Sequence, residues 1–423
     1  MESPDPTVET LRVSSQAAMD AAAWAASRAP VFRERLATLV GVDTGADSPE
    51  GRDEVADILA GWAVACGCET EIVTRAGGGH LICRLTGGGS GRIVLLGHHD
   101  TVFPKGTAAT RPMAVRCGRA YGPGVADMKG GLLVALTAME ALAHGPRHFA
   151  AVDLHCVPDE EVRVVPFATL DRAQGADAVL VLECGRENGD FVRGRKTGAW
   201  LRLAVEGTPA HAGTEPGRGR SAVIGLCHEV LRLSTFDGMR PGLTVMAGTI
   251  AGGTIANVVP QHAETIIDVR APARADLDWA LREISRAGDY DGLTVSVENE
   301  GTWPGIELTP AGGLLLSAAV RLAQEQGLEV RGQTSGGMSD GCWTAAAGVP
   351  TLDGLGPIGG HDHAPSEYIL LDSVPSRCGI IAGLCTAVGS GLLGPASSRG
   401  GDDMDEEVGE QAPPQAGAFT SRR

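Results

Sequence analysis

A chain of 423 residues, 43% hydrophobic and 21% charged, has room for two or three domains and ample material for packed cores. Its formal net charge of −17 argues against a nucleic-acid partner, because phosphate binding needs clustered Lys and Arg, but leaves an anionic substrate open. No apolar run approaches the ~18 residues of a membrane span, and the polar, acidic start carries no signal-like apolar stretch. The ten cysteines form no C-x-x-C pair and read as reduced, partly buried thiols. These features predict a cytoplasmic protein that contacts neither membrane nor nucleic acid.

Residues 9–40 are Ala-rich and lack glycine, which predicts a long helix with a break or restart near Pro30. Residues 43–51 read as a turn-rich loop. Val55, Ile58, Leu59 and Trp62 then fall at helical spacing within 52–65. Four short apolar runs follow, each consistent with a buried parallel strand, and each leads into residues able to bind metal. Residues 93–96 lead to His98, His99 and Asp100. Residues 151–157 lead to Asp159, Glu160 and Glu161, and 178–182 lead to Glu183. Residues 349–355 lead through a glycine-rich loop to His361 and His363. Helical stretches at 129–143 and 314–326 complete an alternation that predicts an α/β fold, a mixed, mainly parallel sheet flanked by helices. In open sheets of this kind ligands bind beyond the carboxyl ends of the strands, where these His, Asp and Glu residues fall.

The middle of the chain differs. Strand-like runs at 200–205, 243–251, 264–269 and 293–297 alternate with helical stretches at 221–234 and 276–286. This βαββαβ order predicts an inserted ferredoxin-like α+β domain over 197–303, between catalytic parts 1–196 and 304–393. Residues 394–423, rich in Gly, Pro, Ser and acids, read as a disordered acidic tail.

Within these segments, a His two residues before an Asp at a strand end places His98 and Asp100 on one side of the strand, where the carboxylate can orient the imidazole. Asp127, after the turn Gly122-Pro123-Gly124, suits either a helix N-cap or a carboxylate shared between two cations. Three adjacent carboxylates at 159–161 are costly unless cations or shared protons relieve them. One of these Glu can ligate metal while its neighbour acts as general base. Glu183 ends a buried run and so needs a partner. His361 and His363 compete for a ligand role, and local reasoning does not separate them. Two His and several carboxylates, with no Cys among them, suit zinc or another borderline divalent metal.

Taken together, GHHDTVFP (97–104), YGPGVADMKGG (121–131), PDEE (158–161), LECG (182–185), TPAHAG (208–213), ANVVPQHAETIIDVR (256–270), SGGMSDG (335–341) and GGHDHAPSEY (359–368) resemble a known family. It is the dinuclear zinc metallopeptidases of glutamate carboxypeptidase, acetylornithine deacetylase and succinyl-diaminopimelate desuccinylase. The resemblance implies two zinc ions per chain, with cobalt or manganese as substitutes. His98 and Glu183 would hold one ion, Glu161 and His363 the other, and Asp127 would bridge them. Asp100 would orient a ligand from behind the metal, and Glu160 would be the general base. His211 would reach a neighbouring subunit's site and stabilise the oxyanion, which implies a homodimer through the inserted domain. Asn257 and Arg270 would grip a substrate carboxylate, for which the guanidinium fork of Arg270 is suited. The alternative for Arg270 is a structural salt bridge.

The implied activity is hydrolysis of an amide bond in a small acyl- or peptidyl-amino acid, or dipeptide-like molecule, with a free carboxylate. Alternatives are an N-acyl amino acid deacylase, a biosynthetic hydrolase with one narrow substrate, and a non-catalytic binding protein that retains the fold. The complete ligand set together with Glu160 speaks against the last. Two departures stand out. Arg163 to Phe167 follow Asp-Glu-Glu where the family often carries Gly and Ser, and Met128 stands where Asp is common.

Overall fold

The buried apolar runs do form strands. The computed structural model of the chain describes residues 6–394, apart from positions 76 and 164. Six strands make the main sheet, in the spatial order Glu69–Arg75, Gly78–Thr86, Phe149–Val157, Ser90–His98, Ala178–Val181, Thr351–Leu352. The last four run parallel to one another, and the first two are antiparallel, so the sheet is mixed and mainly parallel. All four parallel strands therefore end at the same edge, with His98, Asp159, Glu183 and the 353–363 loop beyond it.

Helices Pro6–Ser27, Ala29–Val40, Pro49–Ala65, Gly130–His144, Pro310–Glu325 and Val374–Gly389 accompany this sheet. The expected break near Pro30 falls at Arg28, with Pro30 in the first turn of the second helix, where its missing N–H costs nothing. Pro49 likewise opens a helix three residues earlier than expected, within the stretch read as a loop. The tail over 395–423 lies outside the described residues. Among the described residues, no helix is long and apolar enough to cross a membrane, and all ten cysteines are free.

Residues 197–303 build a second sheet with its own core. Strands Thr244–Ala247, His262–Ala271, Thr197–Glu206 and Thr294–Trp303 lie in that spatial order, all antiparallel. Helices Ala222–Ser234 and Arg274–Ser285 cover them. Leu201, Leu203, Val205, Leu226, Ile267, Leu277 and Ile284 form a buried cluster separate from the core of the main sheet. The run at 243–251 is not one strand: it pairs at Thr244–Ala247, leaves the ladder, and touches again at Ala251–Gly252. Arg195 and Ile306 exchange backbone hydrogen bonds where the chain enters and leaves this segment.

Candidate active site

Three of the four parallel strands lead directly into site groups at the common edge: His98, the 159–161 carboxylates and Glu183. His98, the last residue of its strand, is 2% exposed and points Nε2 at Asp127 Oδ1, 3.0 Å away. Its Nδ1 lies 3.2 Å from Asp100 Oδ1, so Asp100 fixes the ring from behind. The two Asp100 oxygens also accept hydrogen bonds from the Glu160 and Glu161 amides, at 3.1 and 3.0 Å. One buried carboxylate thus sets both His98 and the Glu160–Val162 turn. Glu183 Oε1 stands 3.8 Å from His98 Nε2.

On the other side, His363 Nε2 lies 3.0 Å from Asp127 Oδ2 and 3.2 Å from Glu161 Oε2. Asp127 therefore offers one oxygen to the His98–Glu183 group and the other to the His363–Glu161 group. The helix-capping reading of Asp127 does not hold. The next helix starts at Gly130, no side chain caps it, and the Val125–Lys129 segment leaves helical geometry at Asp127 and Met128. Local sequence left His361 and His363 equal, the family resemblance favoured His363, and in the structure the two rings turn to different partners. His361 turns to the Ser366 hydroxyl, the ring of Tyr368 and, at 3.7 Å, Glu187, while His363 turns to Asp127 and Glu161. Both adopt φ of +63°, a left-handed conformation that non-glycine residues seldom take and that functional loops retain. The neighbouring His99 points away into the protein, where burial lowers its pKa to about 3.

The electrostatics favour a cation. Burial pushes the Glu160 carboxyl well above its ordinary range, and burial with the nearby Asp127 charge raises Glu183 to about 8. Burial opposes a proton on His98, yet hydrogen bonds to Asp100 and Asp127 hold its pKa well above the usual value. Bonds to Asp127 and Glu161 raise His363 to about 11. A field that holds protons on two imidazoles also favours metal ions between them. One ligand atom each from His98, Asp127 and Glu161 lie within 4.8 Å of one another. Glu161 Oε1 is buried without a hydrogen-bond partner. This imidazole–carboxylate donor set fits a borderline divalent cation.

Two contributors had no role in the sequence reading. Glu367 is fully buried, and its carboxylate accepts from the Gly124, Ala126 and Asp127 amides at 3.0, 2.8 and 3.1 Å. It thereby shapes the loop that presents Asp127. Its only sequence signal was its place in the 359–368 motif. Lys129 is also buried, and its Nζ donates to Leu39 and Val42 carbonyls at 3.0 and 2.8 Å.

The other expected residues lie in the inserted segment. His211 is exposed, and its Nδ1 accepts from the Gly213 and Thr214 amides. Asn257 is exposed, with its carbonyl bonded to the Ala212 amide. Arg270 pairs with both oxygens of Asp268, at 2.9 and 3.0 Å, and its Nη1 donates to Gly336 O at 2.9 Å. No bond in the structure joins any of these three to the His98–Asp127–His363 group among the described residues.

Strand-end histidines and carboxylates around a shared aspartate define a metal-dependent hydrolytic centre. The chain belongs to peptidase family M20/M25/M40, whose model matches residues 94–387. It is 28% identical over 375 residues to carboxypeptidase G2 of Pseudomonas sp. (strain RS-16), covering 86% of this chain and 90% of that protein. It is also 28% identical over 314 residues to succinyl-diaminopimelate desuccinylase of Stenotrophomonas maltophilia, covering 70% of this chain and 83% of the relative. Its fold is similar to that of aminopeptidase PepT from Bacillus cereus, with a TM-score of 0.73 at 22% identity over 84% of this chain and 98% of the other. An M20 family metallo-carboxypeptidase from Sulfolobus solfataricus gives a TM-score of 0.62 at 16% identity, over 85% and 99% of the two chains. The chain is thus an amide-bond hydrolase of the metallopeptidase type.

Proposed function

We propose that the chain binds two zinc ions and hydrolyses an amide bond in a small acyl- or peptidyl-amino acid with a free carboxylate. The observation that carries the reading is the two-sided Asp127, with Oδ1 3.0 Å from His98 and Oδ2 3.0 Å from His363. His98 and Glu183 would hold one ion, and Glu161 and His363 the other. When bound, such ions supply Lewis acidity to a carbonyl and lower the pKa of water toward ~7. Glu160, beside both ligand groups on its own turn, takes the proton of the attacking water and returns it to the leaving amine.

Arg270 supplies the carboxylate preference. Its guanidinium already reaches the 335–341 loop through Gly336, and a substrate carboxylate can compete with Asp268 for its fork. On this reading His211 and Asn257, which form no bond to the His98–Asp127–His363 group among the described residues, serve the site of a second copy across a dimer. The names of the relatives favour both carboxypeptidase and deacylase chemistry, and the free carboxylate is common to the two readings.

The test compares N-acyl glutamate and other N-acyl amino acids with the same compounds carrying an α-carboxamide. The zinc-loaded protein should lose roughly 100-fold or more in kcat/KM on the carboxamides, the loss expected when a site built for a charged group is left unpaired. Equal rates on acid and amide would overturn the proposed substrate class.

A further inference from the structure

Resting on the same catalytic reading, we propose that Arg163 is a positioning residue that sets the aim of Glu160. Among the described residues, none donates a hydrogen bond to the Glu160 carboxylate, so the point from which it reaches into the site is set by the backbone of the Glu160–Val162 turn. That turn is held at two ends. Asp100 grips the Glu160 and Glu161 amides at one end. Arg163 holds the other, and its side chain is only 9% exposed.

The guanidinium of Arg163 ties four points together. Nε donates to Asp159 Oδ1 at 2.9 Å, on the residue just before the turn. Nη2 reaches both oxygens of Asp340 at 2.5 Å, across the sequence in the 335–341 loop. Nη1 donates to Val165 O at 2.7 Å, and the group sits 5.7 Å from the centre of the Phe167 ring. The side chain of Asp340 is 4% exposed. The adjacent Ser339 hydroxyl bonds Asp353, which in turn pairs with Arg195 at the entry to the inserted segment. Arg163 thus fastens the turn carrying the base to a braced wall of the site. Being fully engaged, it is not a substrate-binding group. A lysine could not reproduce the arrangement, because one ammonium does not span two carboxylates in the manner of a planar fork.

The experiment uses the zinc-loaded full chain as wild type, R163Q, R163K, D340N and R163Q/D340N. Two quantities are read: kcat and KM on the best N-acyl amino acid, and hydrogen exchange of the Glu160 and Glu161 amides. R163Q should lower kcat by roughly 10–100-fold, since small misplacements of a catalytic group cost rate at this scale, with KM within about threefold. Amide exchange at Glu160 and Glu161 should accelerate roughly tenfold. The double variant should lose less than the product of the two single losses, because the clamp is already gone. R163K, which keeps the charge, should fall between wild type and R163Q, and it decides the matter if R163Q does not fold. Unchanged exchange at both amides, or R163Q with kcat within about twofold of wild type, overturns the proposal. If wild type hydrolyses none of the substrates, the functional reading fails, and the exchange measurement still decides the clamp.

Discussion

Single residues at the site were each ambiguous in sequence and became specific only through their neighbours. From local sequence alone Asp127 favoured a cap over a bridge and His361 and His363 could not be told apart; only the family resemblance pointed to the bridge and to His363. The deciding facts are directions of side chains set by distant residues: Asp127 between two histidines, and His363 held against Glu161. Glu367 was quoted within a motif yet gained no role, because its three backbone donors lie more than 200 residues away, a separation that no local pattern encodes. Its contribution is testable. A carboxamide accepts through one oxygen only, so Glu367→Gln leaves one of the loop amides facing a donor. Zinc affinity should fall by roughly 10–100-fold, the usual cost of losing a group that orients metal ligands. Competition with a chromophoric chelator measures it, and an unchanged affinity would mean that Glu367 only fills space.

At the scale of elements, the strands that carry the site were the most legible, because buried parallel strands are short apolar runs that end abruptly in polar residues. The strands Glu69–Arg75 and Gly78–Thr86, an antiparallel pair at one side of the sheet with only the first at its edge, gave no such signal; the first alternates exposed residues around a single buried Val73. The helix Val374–Gly389 was also missed. It is buried on nearly every side, so it has no amphipathic period. Its Gly379 and Gly383 sit against Ala18, where a Cβ would come within 2.6 Å of the Ala18 carbonyl oxygen and 3.0 Å of its side chain. Glycines that weaken a helix signal in sequence are here the condition for close helix packing. In the inserted segment, the helix Ala222–Ser234 buries Leu226 and Leu233 but exposes Ile224, Cys227 and Leu231 at i, i+3 and i+7. The strand Thr244–Ala247 lies at a sheet edge, with Met246 62% exposed. An apolar helix face with an open edge strand is a surface suited to pairing with a second copy. Light scattering should give twice the chain mass of 43.5 kDa for wild type and a monomer for Leu231→Glu. Cys227 should react slowly with a thiol reagent in wild type and fast in the variant. A wild-type monomer with full activity would refute the pairing and the part assigned to His211.

For the whole molecule, composition argued only against a nucleic-acid partner, while the order of motifs pointed to the chemistry. The charge of −17 coexists with a site whose own carboxylates attract cations, and with Arg270 as a local positive group. The layout places metal-binding residues at the carboxyl edge of one sheet and the expected carboxylate grip in a separately packed segment, joined through the Arg195–Ile306 crossing. The two sheets were legible from the alternation of strands and helices, while the roles expected of each came from the family resemblance. What the sequence did not carry was the bracing between the parts: Arg163 with Asp340, and Arg195 with Asp353, are ion pairs between residues 177 and 158 positions apart.

The central claim is that this centre uses metal to hydrolyse an amide through Glu160. The most direct test is the metal content of the purified chain after zinc is resupplied, measured together with turnover of N-acyl amino acids, for wild type and Glu160→Ala. The account predicts about two zinc ions per chain in both proteins, with turnover in the variant reduced by roughly 10²–10⁴-fold, the range for loss of a general base. A chain that takes up no zinc, or a Glu160→Ala variant that hydrolyses substrate as fast as wild type, would contradict it.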